Sequence, residues 1–153
     1  MRKIITIRKE ELTSFREGIL ENQSLPKQAT LPQRIEEMIQ QATKTFFEIA
    51  EPLGIMETIS LDDFDIVYDG EGFNETITPL ESIYTQADNL ALFAVTIGAE
   101  ITGRIDELFE KKEFALGSML DSVASAGTDR CAYVIEKRFN DMLFEKKELP
   151  SLT

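Results

Sequence analysis

Asp121, Ser125 and Asp129, two carboxylates and a hydroxyl, stand at four-residue steps late in the chain. On an α-helix that spacing stacks side chains along one face. The three would then form a single polar stripe. Ala124, Ala126 and Gly127 stand beside them, and residues this small let another backbone or a flat ligand come close. The stripe reads as the lining of a ligand cleft or a docking surface. The competing reading has Asp121 capping or pairing locally, with the small residues serving only tight helix packing. A second candidate is Thr96-Ile97-Gly98-Ala99-Glu100. A loop that leaves a strand and opens a helix points free amides at whatever sits above it. That arrangement suits a carboxylate or a partner's acidic group. Against it stands a turn glycine chosen for backbone geometry.

The elements that must position these residues are legible around them. Leu90 to Ile97 is an unbroken apolar run between Asp88-Asn89 and Gly98, which predicts a strand buried on both faces. Gly98 lets the chain turn sharply. Ala99 to Glu110 predicts a helix with Ile101, Ile105, Leu108 and Phe109 on one face, and Glu100 sits where an acid favours a helix N-terminus. From Glu113 to about Glu145 a long helical pattern follows. Its expected inward residues are Phe114, Leu116, Leu120, Val123, Val134, Ile135, Phe139 and Met142.

Composition narrows the chemistry. There is no histidine, so the usual neutral-pH general base and the commonest transition-metal ligand are missing. The single cysteine, Cys131, excludes an internal disulfide and reads as a structural buried thiol. A net charge of −12 repels phosphate backbones and argues against nucleic acid. At 153 residues the chain is expected to form one domain. No apolar run approaches the roughly 20 residues of a membrane span. The basic start Met1-Arg2-Lys3 precedes too short an apolar stretch for a secretory signal, so a cytoplasmic location is expected.

The remaining segments predict scaffold. Ile4 to Ile7 reads as a strand with Ile5 and Ile7 on one face, and Lys9 to Arg16 as one or two helical turns ended by Gly18. Glu21 to Ala29 reads as a loop. Thr30-Leu31-Pro32-Gln33 has the capping-box pattern. It opens a helix whose apolar face is Ile35, Met38, Ile39, Ala42, Phe46 and Ile49, ended by Pro52 and Gly54. Strands are expected at Ile55–Ile59, Phe64–Tyr68 and Phe73–Ile77, with a turn at Asp69–Gly72. A short helix is expected from Thr78 to about Ala87. The acids Asp62, Asp63, Asp65, Asp69 and Glu71 fail the alternation of a calcium loop. Gly70-Glu71-Gly72 lacks the third glycine and the helix of a dinucleotide turn.

The segment Leu92-Phe93-Ala94-Val95-Thr96-Ile97-Gly98, followed by Leu120-Asp121 and Ser125, resembles the activation domain of cobalamin-dependent methionine synthase and its short stand-alone relatives. The resemblance is good from Thr78 to Phe144 and faint from Thr30 to Ile77. Asp121 and Ser125 match the family's helix, and Asp129 stands where glutamate is usual. The resemblance implies an α+β domain, with an antiparallel or mixed sheet, packed helices and a long C-terminal helix. It further implies an accessory role in S-adenosylmethionine-dependent reductive reactivation of cobalamin during methionine biosynthesis. The partner would be a cobalamin-carrying protein or a short methionine synthase. Without histidine, this chain has no D-x-H-x-x-G corrinoid signature, so cobalamin would arrive on that partner. Thr96, Gly98, Glu100, Asp121, Ser125 and Asp129 would then line the cleft. The family grips S-adenosylmethionine partly through an arginine and a following Pro-Gly-Tyr, whereas the prolines here are Pro26, Pro32, Pro52, Pro79 and Pro150, none followed by glycine. That departure favours the alternative of a docking module that binds no methyl donor.

Overall fold

The computed structural model describes residues 2–13, 15–27, 30–64, 87 and 90–146. Three strands, β1 (Arg2–Thr6), β2 (Leu53–Ile59) and β3 (Leu90–Thr96), form an antiparallel sheet in the order β1-β2-β3. Among the described residues the main α-helices that pack with it are α1 (Arg16–Asn22), α2 (Gln33–Ile49), α3 (Ala99–Glu110) and α4 (Phe114–Glu145). A 3-10 turn, Lys9–Glu11, follows β1 and precedes α1. This is the expected α+β architecture, with the sheet antiparallel.

The 32-residue α4 is the element that the others cover. A helix apolar on every side belongs in a core, and from Gly117 to Ile135 this one buries residues around most of its circumference. Its small residues fit neighbours. Gly18 of α1 packs so close to Ala126 that an added Cβ would lie 3.1 Å from the Ala126 Cβ. Gly18 is therefore a helix-packing contact inside α1 and does not end the preceding turn as expected. The fully buried Phe46 ring of α2 occupies the space beside Gly127. Phe46 also meets Phe15 and Phe47 at 5.5 and 5.4 Å between ring centroids, separations at which aromatic pairs attract.

The sheet has one covered face. Gly54 of β2 points at Ile135 of α4, so Met56, Ile5 and Val95, which share that face, pack against the core. Register places Ile4, Ile55 and Ala94 in one row of the opposite face, flanked by Leu53 and Leu92. There Ile4 is 74% exposed and Leu92 40% exposed. The expectation that β3 is buried on both faces is thereby corrected: no described helix lies over the outer face. Phe93, on the helix side, is itself 47% exposed.

Other expectations shift locally. The Thr30 capping box does not form; Pro32 is the N-cap and no side chain bonds the first turn. Leu31 is buried in the core, and that anchor moves the helix start past it. Phe114, expected inward, is 57% exposed. Of the strand expected at Phe64–Tyr68, Phe64 closes a helical turn over residues 61–64, capped by Ser60, whose Oγ accepts from the Asp63 amide at 3.2 Å. The rest of that strand, the Asp69–Gly72 turn, the Phe73–Ile77 strand and the helix opened by Thr78 lie outside the described residues. Among the described residues no helix is long and apolar enough to cross a membrane.

Candidate functional site

The stripe on α4 forms as its spacing predicts, but on open surface. Asp121, Ser125 and Asp129 are all exposed and share one face of the helix. Eight residues of helix span about 12 Å, which sets the stripe's length. None of the three makes a side-chain hydrogen bond or ion pair among the described residues. Asp121 is therefore neither a local cap nor half of a described pair. Polar residues turned inward on the same helix are satisfied instead. Ser122 is buried, and its hydroxyl accepts from Gln23 Nε2 at 2.7 Å. Its carbonyl accepts from Asn22 Nδ2 at 3.2 Å. Thr128 Oγ1 donates to the Ala124 carbonyl at 2.9 Å.

Two residues beside the stripe belong with it and escaped the sequence reading. The Arg130 guanidinium lies over the Tyr133 ring, 4.4 Å from its centroid, and Tyr133 is about half exposed. Arg130 Nε is buried and has no hydrogen-bond partner among the described residues. Arginine and tyrosine are among the side chains enriched where binding energy concentrates at protein interfaces. The three-residue step between them was the available signal.

Thr96, Gly98 and Glu100 sit elsewhere, at the mouth of α3. Gly98 has φ +88° and serves as the helix N-cap. A Cβ there would lie 3.2 Å from the Glu51 Cβ, so glycine is required for backbone geometry and for clearance together. The Glu51 amide donates to the Ile97 carbonyl at 2.8 Å, and the Gly98 amide donates to Thr96 Oγ1 at 3.1 Å. No side chain caps the first turn of α3, and Glu100 is exposed in it. Thr96 and Gly98 line an open cavity of about 510 Å³ with Lys9, Glu51, Pro52 and Leu53. No residue of α4 lines it. The six candidate residues are thus two separate surfaces, and Asp121, Ser125 and Asp129 do not share that cavity.

Electrostatics outside these surfaces are structural. Arg138 of α4 grips Glu11 with contacts of 2.6 and 2.7 Å and donates to the Thr6 carbonyl at 3.0 Å. The hydrogen bond from Arg138 holds the Glu11 carboxyl below its ordinary range, against the opposing effect of burial. Burial pushes the Cys131 thiol up to about 11, which suits a core residue and not a nucleophile. Among the described residues no cluster of three acidic or cysteine side chains is arranged to hold a metal ion. The chain matches no protein-family model and no curated protein.

Proposed function

We propose that this chain is an accessory module of cobalamin-dependent methionine synthesis, or of a related corrinoid methyl-transfer system. It would press the exposed face of α4 against the cobalamin-carrying protein. The supporting observation is the line of Asp121, Ser125 and Asp129: exposed, unpaired among the described residues, and mounted on the most firmly held helix of the domain. A rigid element carrying exposed acceptors without a described protein partner suits a partner that supplies amides or basic side chains. On this reading the cobalt performs the chemistry, and the module contributes docking and orientation during reductive reactivation.

A second reading, in which the module also holds S-adenosylmethionine, draws on the cavity at Gly98. The uncapped amides of α3 suit a carboxylate. The Glu51 carboxylate on the same cavity suits an ammonium or sulfonium group.

Calorimetric titration with the purified cobalamin-carrying domain of a methionine synthase tests the first reading. Saturable binding is expected, weakened about tenfold by the paired charge reversals Asp121→Lys and Asp129→Lys. Absence of binding at high protein concentration, or binding indifferent to those reversals, refutes it. A separate titration with S-adenosylmethionine, repeated on Glu51→Gln, decides the second reading independently.

A further inference from the structure

Strand β1 is held to the fold by a different kind of contact from the rest of the sheet. Among the described residues it is an edge, its backbone paired to β2 alone. Ile5 is its one half-buried residue, packed against the core, and Ile4 is 74% exposed. β3 packs both Ala91 and Val95 against the core. Elements with little apolar anchorage are the ones that open locally while the rest of a fold persists.

What fastens β1 beyond its ladder is polar. Arg2 pairs with Glu57 of β2 at 2.9 Å, on the exposed surface. Lys3 Nζ reaches the Met142 sulfur only at 3.8 Å. The firm contact is Arg138 of α4. Its Nη1 donates to the Thr6 carbonyl at the end of β1, and its Nη2 donates to both Glu11 oxygens. Glu11 in turn accepts the Arg8 amide at 2.9 Å. Arg138 therefore clasps the chain on both sides of Ile7, which is buried in the core together with Leu12.

We propose that β1 is a displaceable edge strand. It swings away from β2 about the buried Ile7 while the rest of the domain stays folded, and Arg138 is the latch that keeps it shut. Opening bares the edge of β2, a row of amides and carbonyls with which another extended strand can pair. The device is separate from the exposed stripe of α4 and does not depend on what docks there.

Native-state hydrogen exchange of the full chain, read by NMR, tests this. In a central antiparallel strand successive residues turn their amides to opposite neighbours. Along Leu53–Glu57, which pairs with both β1 and β3, protection is therefore expected to alternate. The amides that face β1 should exchange together with those of β1, about tenfold or more faster than the amides that face β3. Arg138→Gln should speed the first set about fivefold further, the size of one partly exposed charged contact, and leave the second set unchanged. If that variant does not fold by circular dichroism, the alternation in the parent decides. One common rate along β2 overturns the proposal, because β1 would then open only with the whole sheet. So does Arg138→Gln that accelerates both sets alike, or neither.

Discussion

Strand β3 and the middle of helix α4 exchange the roles their compositions suggest. β3 is an unbroken apolar run, yet Leu92 and Phe93 are 40% and 47% exposed. The middle of α4 is interrupted by serine, aspartate, glycine and threonine, yet Met119, Leu120, Val123, Cys131 and Ile135 are almost wholly buried. Neighbours decide this, not hydropathy. The middle of α4 has α1, α2, α3 and the sheet around it, so among the described residues one strip there, the strip carrying Asp121, Ser125 and Asp129, is left to solvent. β3 has helices on one side only among the described residues. The lesson is that a segment's burial is a property of what covers it.

The widest test removes bulk from each region. Phe46 fills the space against α4, so Phe46→Ala should cost about 3–5 kcal/mol. Leu92→Ala on the open face of β3 should cost under about 1 kcal/mol. Urea unfolding monitored by circular dichroism measures both. Equal losses would mean that the outer sheet face is covered in solution.

The next test makes one substitution in two helices. Gly127→Ala drives a methyl group into the Phe46 ring, which has nowhere to go. Overpacking of that kind costs about 1–3 kcal/mol, more than alanine's helix preference returns. Gly103→Ala on α3 meets nothing within 4 Å. There the same preference acts unopposed and should stabilise by about 0.5–1 kcal/mol. Opposite signs from one chemical change would confirm that the glycine of α4 is a packing residue.

How much of this was readable beforehand follows the range of the forces involved. Helix α3 begins and ends where its pattern says, at Ala99 and Glu110, because Gly98 and the apolar periodicity are local signals. The start of α4 agrees to one residue for the same reason. The Thr30 cap failed because Leu31 is pulled into the core, a tertiary contact stronger than a marginal local bond. In the site, the alignment of Asp121, Ser125 and Asp129 was legible, since helical phase is local. Their exposure was not, because it depends on where α1, α2 and α3 settle. The pairing of Gly127 with Phe46 joins residues 81 apart in sequence, and no spacing rule reaches that far.

A smaller effect comes from the Arg138–Glu11 pair, which ties α4 to the segment after β1. The folded carboxyl titrates below its unfolded value of 4.5. Its contribution is therefore complete above that pH and is lost as pH falls through the folded value. Thermal melts of the protein and of Glu11→Gln, compared from pH 6 downward, should converge in acid, because the variant has no carboxyl to protonate there. Parallel curves would mean that the ion pair contributes nothing in solution.

The smallest effect is also the sharpest comparison, because it sets neighbouring turns of α4 against each other. Ser122 is buried and accepts from Gln23, while Ser125, one turn on, is exposed and unbonded. Alanine gains roughly 0.5 kcal/mol of helix preference at either position. At Ser122 it also removes an acceptor worth about 1 kcal/mol, although Gln23 keeps its bond to the Ser118 carbonyl at 3.0 Å. Ser122→Ala should therefore be about 0.5 kcal/mol less stable than the parent, and Ser125→Ala slightly more stable. For the docking reading the order reverses: Ser125→Ala should weaken the corrinoid partner, and Ser122→Ala should leave it alone. If Ser125→Ala lowers stability and spares binding, the stripe on α4 is scaffold and the partner engages another face.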